Sequence, residues 1–309
     1  ATRVNQELPG TRSLFTSSAR KVKKATPPYA ESMVKMNKKW DRLDVWQAMK
    51  LTSQSLTPGF YATALDGKYT VDQGFVSQVE NRQIYVKLFW RTLLISGSVM
   101  LLCLLLGYPV AYLLATLPLR YSNLLMIMVL LPFWTSLLVR TTAWIAILQS
   151  QGVVNDLLVW IGITGDESRF SLIYNMTGTI IAMTHILLPF MILPLYSVMK
   201  TIPPSYMRAA RSLGATPTRA FIKIYMPQTI PGVGAGGLLV FILAIGYYIT
   251  PALVGGQDGQ LISNMIAYHM QKSLNWSLAA ALGGILLAGV LLLYWAYDRI
   301  IGIDNMKLG

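Results

Sequence analysis

Residues 172–199 read LIYNMTGTIIAMTHILLPFMILPLYSVM, a run without a single Asp, Glu, Lys or Arg. As a helix it exceeds the roughly 20 residues needed to cross the hydrocarbon core of a bilayer. Four more apolar runs lie around it, at residues 93–117, 124–148, 233–254 and 278–301. Length and apolar character therefore predict an all-α membrane protein with a bundle of five transmembrane helices. Pro109, Pro132, Pro189 and Pro194 fall inside these runs; neighbouring helices can satisfy the carbonyls they free, so kinked, tightly packed helices are expected. Glycines and alanines crowd the last two runs and predict close backbone approach.

Composition agrees. The chain has 309 residues, 54% of them hydrophobic and 13% charged, with a mean hydropathy of +0.48, which excludes an ordinary soluble domain. The net charge of +13 does not indicate nucleic acid, because the basic residues are interspersed with apolar runs instead of forming one solvated face. The lone Cys103 sits in an apolar run and reads as a small buried hydrophobe.

Residues 1–87 are polar and basic, with Arg20, Lys21, Lys23, Lys24, Lys35, Lys38 and Lys39, and contain no spanning run. They read as an N-terminal arm, residues 1–30 of it largely disordered, and residues 1–24 lack the apolar core of a signal peptide. A sixth span near residues 45–65 is opposed by Gln47, Lys50, Gln54 and Pro58. The expected organisation is thus arm (1–87), membrane domain (88–301) and short cytoplasmic tail (302–309).

Between the third and fourth runs stand Lys200, Arg208, Arg211, Arg219 and Lys223 without one acidic residue, which marks this loop as cytoplasmic. Counting back, the acidic loop at 149–170 lies outside and the segment before residue 88 also lies outside. The lysines at 20–39 argue for the opposite side, and the two indications conflict. The loop itself, residues 202–232, reads IPPSYMRAARSLGATPTRAFIKIYMPQTIPG. Pro203 and Pro204 stop the preceding span, Ser205 is the expected N-cap of a short helix, and Gly214 supplies its left-handed end with Arg211 at the C-terminal dipole. Thr216 then caps a second helix, Pro217 fits its first turn and Pro227 ends it. The product is a helix-turn-helix over residues 200–230.

Ala209, Ala210, Gly214, Ile224 and Pro227 stand at the spacing of E-A-A, three residues, G, nine residues, I-x-L-P. That pattern resembles the EAA motif of ABC importer permeases, with Arg208 in place of the glutamate and Met226 in place of the leucine. GYYITPALVGG (246–256), LLGYPVAYLLA (105–115) and LLPFWTSLLVRTTAW (130–144) are similar to the spermidine/putrescine branch of that family. The resemblance implies a multi-pass protein of the bacterial inner membrane, moving a polyamine or related polar organic solute by alternating access. It implies that Ser205, Arg208, Ala209, Ala210, Arg211, Gly214, Ile224 and Pro227 couple the chain to a cytoplasmic ATPase subunit. A second permease subunit and a periplasmic binding protein would complete the machine, and ATP would be used by the ATPase, not by this chain. The family usually has six spans, and in this reading the first helix that the resemblance implies is absent from this chain.

Arg140 and His185 are the ionisable residues deepest in the spans, and such residues usually face a cavity or a partner. With Trp134, Tyr247 and Tyr248, whose faces suit cation–π contacts, they are the candidate pathway; Trp144 could supply a further face. His269 is expected to be solvated near an extracytoplasmic loop. No phosphate loop, no H-E-x-x-H and only two separated histidines are present, so no catalytic, cofactor or metal site is expected. The alternatives are a secondary transporter, which usually shows repeat halves and midplane ion sites, and a non-transporting membrane scaffold.

Overall fold

Pro9, Pro27, Pro28 and Pro58 divide the start of the chain into short pieces. The computed structural model describes residues 1–53, 58–70, 74–80 and 83–301. First come α1 (Thr2–Glu7), α2 (Thr11–Lys21), α3 (Tyr29–Met36), α4 (Leu43–Ser53) and α5 (Gly59–Ala64), then the strands β1 (Gly67–Thr70) and β2 (Gly74–Ser77). The strands form an antiparallel hairpin with Gly67 opposite Ser77.

The expectation of a largely disordered stretch over residues 1–30 is corrected by these helices. Its cause is a small core assembled from distant positions: Leu14, Trp40 and Val45 are buried together, with Phe15, Met33, Val34 and Met49 packed on them. Burying a Leu or Val contributes about 1.5–3 kcal/mol each, against the entropy of ordering the chain. The Trp40 indole donates to Ser18 Oγ at 2.8 Å, so its polar edge is satisfied inside that core. With 11 and 6 residues, α4 and α5 are each too short to cross a bilayer.

Residues Ala1–Lys87 and Tyr268–Gly284 form one compact unit. Within it Asp66 starts the next helix, α6 (Tyr85–Thr116). Its Oδ1 accepts the N–H groups of Ile84 and Tyr85 at 3.0 and 2.9 Å, and its Oδ2 accepts that of Val86 at 2.8 Å. A carboxylate on the free amides of a helix start offsets their lost hydrogen bonds and the positive end of the dipole. The helix therefore begins well before its apolar run. Tyr85 Oη in turn lies 2.9 Å from His269 Nε2, and His269 Nδ1 lies 2.8 Å from Ser273 Oγ. His269 is only 8% exposed, which corrects the expectation that it is solvated: the two hydroxyls replace its water. Burial holds its pKa below the ordinary value of 6.5.

The second unit, Leu88–Ala267 with the chain from Ile285 onward, carries the membrane helices. After α6 come α7 (Leu119–Leu130), a 3-10 turn (Leu131–Trp134), α8 (Leu137–Leu148), α9 (Val153–Trp160) and α10 (Met176–Thr201). Then follow α11 (Pro204–Ser212), α12 (Pro217–Ala220), a π-helical turn (Phe221–Tyr225), α13 (Met226–Gln228), α14 (Ile230–Gly246), α15 (Ile249–Val254), α16 (Ile262–Gln271) and α17 (Trp276–Ile301). Among the described residues, four helical segments, Tyr85–Thr116, Leu137–Trp160, Met176–Thr201 and Trp276–Tyr297, are long and apolar enough to cross a membrane. The pair Pro217–Gln228 and Ile230–Gly246, bent by 59°, makes five.

The most buried of these is α10: 61% of its apolar window is covered, against 17–28% for the other three. It is the centre of the unit, with Met183, Leu187, Met191 and Leu195 in the core beside Val99, Cys103, Val240 and Ala244. Cys103 is fully buried, as expected, and its Sγ donates to Thr184 O at 3.4 Å. Close approach of α14 depends on glycine, since a Cβ on Gly236 would lie 2.9 Å from Met191 Sδ and 3.1 Å from Met191 O. Membrane helices without a hydrophobic drive between them pack through such contacts.

Two predicted spans are interrupted. The run at 124–148 ends as a helix at Leu130, passes through the 3-10 turn and restarts at Leu137. Pro132 has no N–H to continue a helix, Thr135 is extended, and Ser136 Oγ accepts from Val139 N at 3.2 Å as a new N-cap. The run at 233–254 breaks at Tyr247 and Tyr248, whose carbonyls accept from Ser263 Oγ at 2.5 Å and Asn264 Nδ2 at 2.8 Å. By contrast Pro109, Pro189 and Pro194 stay inside continuous helices.

Candidate coupling loop and translocation pathway

Local rules set most of the loop between α10 and α14. Pro203 occupies the N-cap of α11 and Pro204 its first position, with no side-chain cap. Ser205 is therefore not the N-cap that the sequence suggested: a proline whose fixed φ already suits a first helical turn displaces it. Arg208 moves with this correction into the second turn, away from the positive helix end. The far end is as expected. Gly214 has φ +89°, the N–H of Ala215 donates to Ala210 O at 3.0 Å, and that of Gly214 to Arg211 O at 3.0 Å. These two bonds close the α11 carbonyls in the manner of a Schellman turn. Thr216 Oγ1 then caps α12 through Arg219 N at 3.3 Å, and Pro217 opens that helix.

Pro227 does not end the second helix. It lies in α13, just after the π-helical turn, and the break falls at Thr229. Pro227 cannot donate the hydrogen bond that would hold an ordinary turn, and widening to the π pattern relieves the mismatch. Arg208, Ala209, Arg211, Gly214, Ile224 and Pro227 are exposed and Ala210 is half-buried. At the tip Leu213 is 89% exposed and Tyr206 is 50% exposed. These two were not picked out from the sequence, although an apolar residue just before the turn glycine of a polar loop was a usable signal. An aromatic stack fastens the loop to α6: Tyr112 meets Phe221 and Tyr225 edge-on at 5.4 and 5.3 Å, and Phe221 stacks on Tyr225 at 5.6 Å. Tyr108 Oη lies 3.1 Å from Thr229 Oγ1, at the bend itself. These contacts join the π-helical turn and the bend before α14 to α6.

The pathway candidates are less united. Arg140 donates to the carbonyls of Pro132 and Thr135 and to Thr135 Oγ1, so its guanidinium satisfies the broken turn that precedes α8. His185 accepts the Trp144 indole N–H on Nδ1 at 3.1 Å, which leaves the ring neutral with its proton on Nε2. Trp134 is 80% exposed and Tyr248 is 40% exposed, while Tyr247 is half-buried. Among the described residues no hydrogen bond joins Arg140, His185, Trp134, Tyr247 and Tyr248 to one another. Thr141 Oγ1 and Thr250 Oγ1, 3.3 Å apart, tie the two interrupted spans together beside them.

Residues 89–301 match the family described as the binding-protein-dependent transport system inner membrane component. The chain belongs to that family. It is the transmembrane permease subunit of an ATP-binding-cassette importer and crosses the inner membrane several times. It is 35% identical over 241 residues to the spermidine/putrescine transport system permease protein PotB of Escherichia coli K12, covering 74% of this chain and 87% of that one. The protein of the same name from Haemophilus influenzae is 35% identical over 225 residues, covering 73% and 78%. Among solved structures, a chain of a bacterial alginate ABC transporter in complex with a pentasaccharide-bound periplasmic protein aligns with a TM-score of 0.57. Its identity is 18%, and the alignment covers 72% of this chain and 80% of that one. A chain of the MetNI methionine ABC transporter, in an inward-facing conformation, aligns at 0.54 with 19% identity, covering 70% and 94%. These likenesses give the fold.

Proposed function

We infer that this permease carries a polyamine such as spermidine or putrescine, or a closely related polar organic solute, across the inner membrane. The observation behind the inference is the 35% identity to PotB, spread over most of both chains. The work is mechanical. An ATPase subunit bound to the loop hydrolyses ATP, and its closure moves α11 through the exposed face made by Arg208, Ala209, Arg211 and Leu213. The aromatic stack and the Thr229 bend carry that movement to the spans, which then expose the pathway to alternate sides. A second permease subunit forms the other wall, and a periplasmic binding protein delivers the solute. With no Asp or Glu central in any span, the aromatic rings of Tyr247, Tyr248 and Trp144 are the groups suited to a passing ammonium, and most selection falls to the binding protein.

Mild-detergent purification of the chain from its native membrane tests the assembly, with mass spectrometry of what travels with it. Recovery of a phosphate-loop ATPase and a second permease is expected; their absence from a folded sample overturns the importer assembly. Uptake of labelled spermidine into vesicles holding that complex tests the solute, and uptake indifferent to excess spermidine overturns it.

A further inference from the structure

Basic residues that lie up to 19 positions apart in the sequence are brought together by the small core about Trp40. The bond from the Trp40 indole to Ser18 Oγ holds the last turn of α2 against the 3-10 turn Lys38–Asp41. Trp46 Nε1 donates to Trp40 O at 2.7 Å, which adds the start of α4. Arg20, Lys21, Lys23, Lys38 and Lys39 thus stand exposed around one end of the body. None of their side chains has an ion-pair or hydrogen-bond partner among the described residues. Between residues 18 and 46 eight Lys and Arg face three Asp and Glu, a net charge of +5, and one of the three, Asp44, is already paired with Arg42.

Apolar side chains are interleaved with these cations. Val22 lies between Lys21 and Lys23, and the outward face of α4 carries Leu43, Trp46 and Lys50 at the i, i+3, i+7 spacing of one helix face, opposite the buried Val45 and Ala48. Val22, Leu43 and Trp46 are 41–70% exposed. Cations mixed with exposed aliphatic and indole groups are the composition of a surface that lies on a membrane. The same unit also reaches the bilayer. With 26 residues, α17 rises about 39 Å. Centred on roughly 30 Å of hydrocarbon, it leaves Trp276 just above that layer and puts Gly284, about 12 Å further on, inside it. A Cβ on Gly284 would lie 3.7 Å from Tyr61 Oη, so Tyr61, on α5, reaches the level of the acyl chains. The helix before α5 begins at the basic end: α4, of 11 residues, is only about 16 Å long.

We propose that the folded body of residues 2–53 is a surface anchor, bound to anionic phospholipid of the leaflet in which α17 begins. Its five clustered cations meet lipid phosphates, while Leu43 and Trp46 settle at the level of the glycerol groups. Each Lys or Arg so placed contributes to the attraction of an anionic surface. Lysines on the side that the usual charge bias disfavours are thereby given headgroups as counter-ions.

The full chain carrying Leu43→Cys tests the idea, labelled with a polarity-sensitive fluorophore at that thiol because Cys103 is sealed in the core. It is reconstituted in vesicles of phosphatidylcholine with or without phosphatidylglycerol. A lipid bearing a nitroxide near its headgroup should quench the label strongly in the phosphatidylglycerol vesicles and weakly in phosphatidylcholine alone. Val22→Cys, on a different element, is an independent reporter and should behave alike. Lys21→Gln, Lys38→Gln and Lys39→Gln, all exposed and outside the Trp40 core, should each lower the ratio of lipid-contacting to water-exposed label about fivefold, with Tm unchanged. Equal quenching in both kinds of vesicle, or wild-type quenching in all three variants, overturns the proposal. A label that stays in water in the phosphatidylglycerol vesicles overturns it too; shielding of that label on adding the soluble extracytoplasmic proteins would assign the patch to an acidic protein.

Discussion

At Gly214 a single backbone angle carries the turn of the coupling loop. Nothing lies within 4 Å of where its Cβ would be, so a substitution meets no clash and its cost comes from φ +89° alone. That cost is roughly 1–2 kcal/mol for an ordinary side chain and more for a β-branched one. Gly214→Val should leave the bundle assembled while transport falls by an order of magnitude or more, read from uptake beside ATPase co-purification; wild-type uptake would dissociate the turn from coupling. His269 offers a second single-residue test. Its pKa is lowered by burial, so between that lowered value and 6.5 the unfolded chain binds more protons than the folded one. Stability from this group is complete above about pH 6.5 and is lost as pH falls below it. Tm should decline from pH 7 to pH 5 more steeply in wild type than in His269→Gln, and parallel profiles would show that the Tyr85 and Ser273 contacts do not hold the ring neutral.

At the scale of elements the decisive places are where helices stop or touch. Arg140 serves three oxygens around the break before α8. Arg140→Met removes its bonds to the carbonyls of Pro132 and Thr135 and to Thr135 Oγ1 and should cost about 0.5–1.5 kcal/mol for each bond lost, seen as lower thermal stability in detergent. A variant as stable as wild type would place those carbonyls in water. Gly236→Leu should separate α14 from α10, at a cost of about 1–3 kcal/mol for overpacking, with loss of the folded species on size-exclusion chromatography. The loop was legible in the sequence because caps, φ > 0 and proline act within a few residues: Gly214, Thr216 and Pro217 do what their types dictate. Ser205 was misassigned because two adjacent prolines competed for the same helix start. Pro132 breaks its span while Pro109, Pro189 and Pro194 do not, and the difference lies in Arg140 and Ser136, whose contacts depend on the folded turn. The pathway residues were legible as types only, since their partners, such as Trp144 for His185, lie on other helices.

For the whole molecule the question is which side each end occupies. Five crossings put the start of α6 on the side opposite the loop between α10 and α14, and put the residues before α17 on that same side as the start of α6. Tyr85 and His269 accordingly bond to each other within one compact unit. The unit's lysines oppose this arrangement by the usual charge bias, yet its small core about Trp40 shows a folded body, and large segments obey that bias weakly. Because Cys103 is sealed in the core, single introduced thiols can be labelled cleanly. Ala19→Cys should react with an impermeant maleimide from outside and Ser212→Cys only from inside; reaction of both from one face would mean a different number of crossings. The π-helical turn at Phe221–Tyr225 has a further consequence at this scale. Returning it to α-helical pairing would slip the register by one residue, rotating the chain beyond it by about 100° and advancing it by about 1.5 Å. A straight thrust against the coupling loop would then reach the membrane as the turn of a screw.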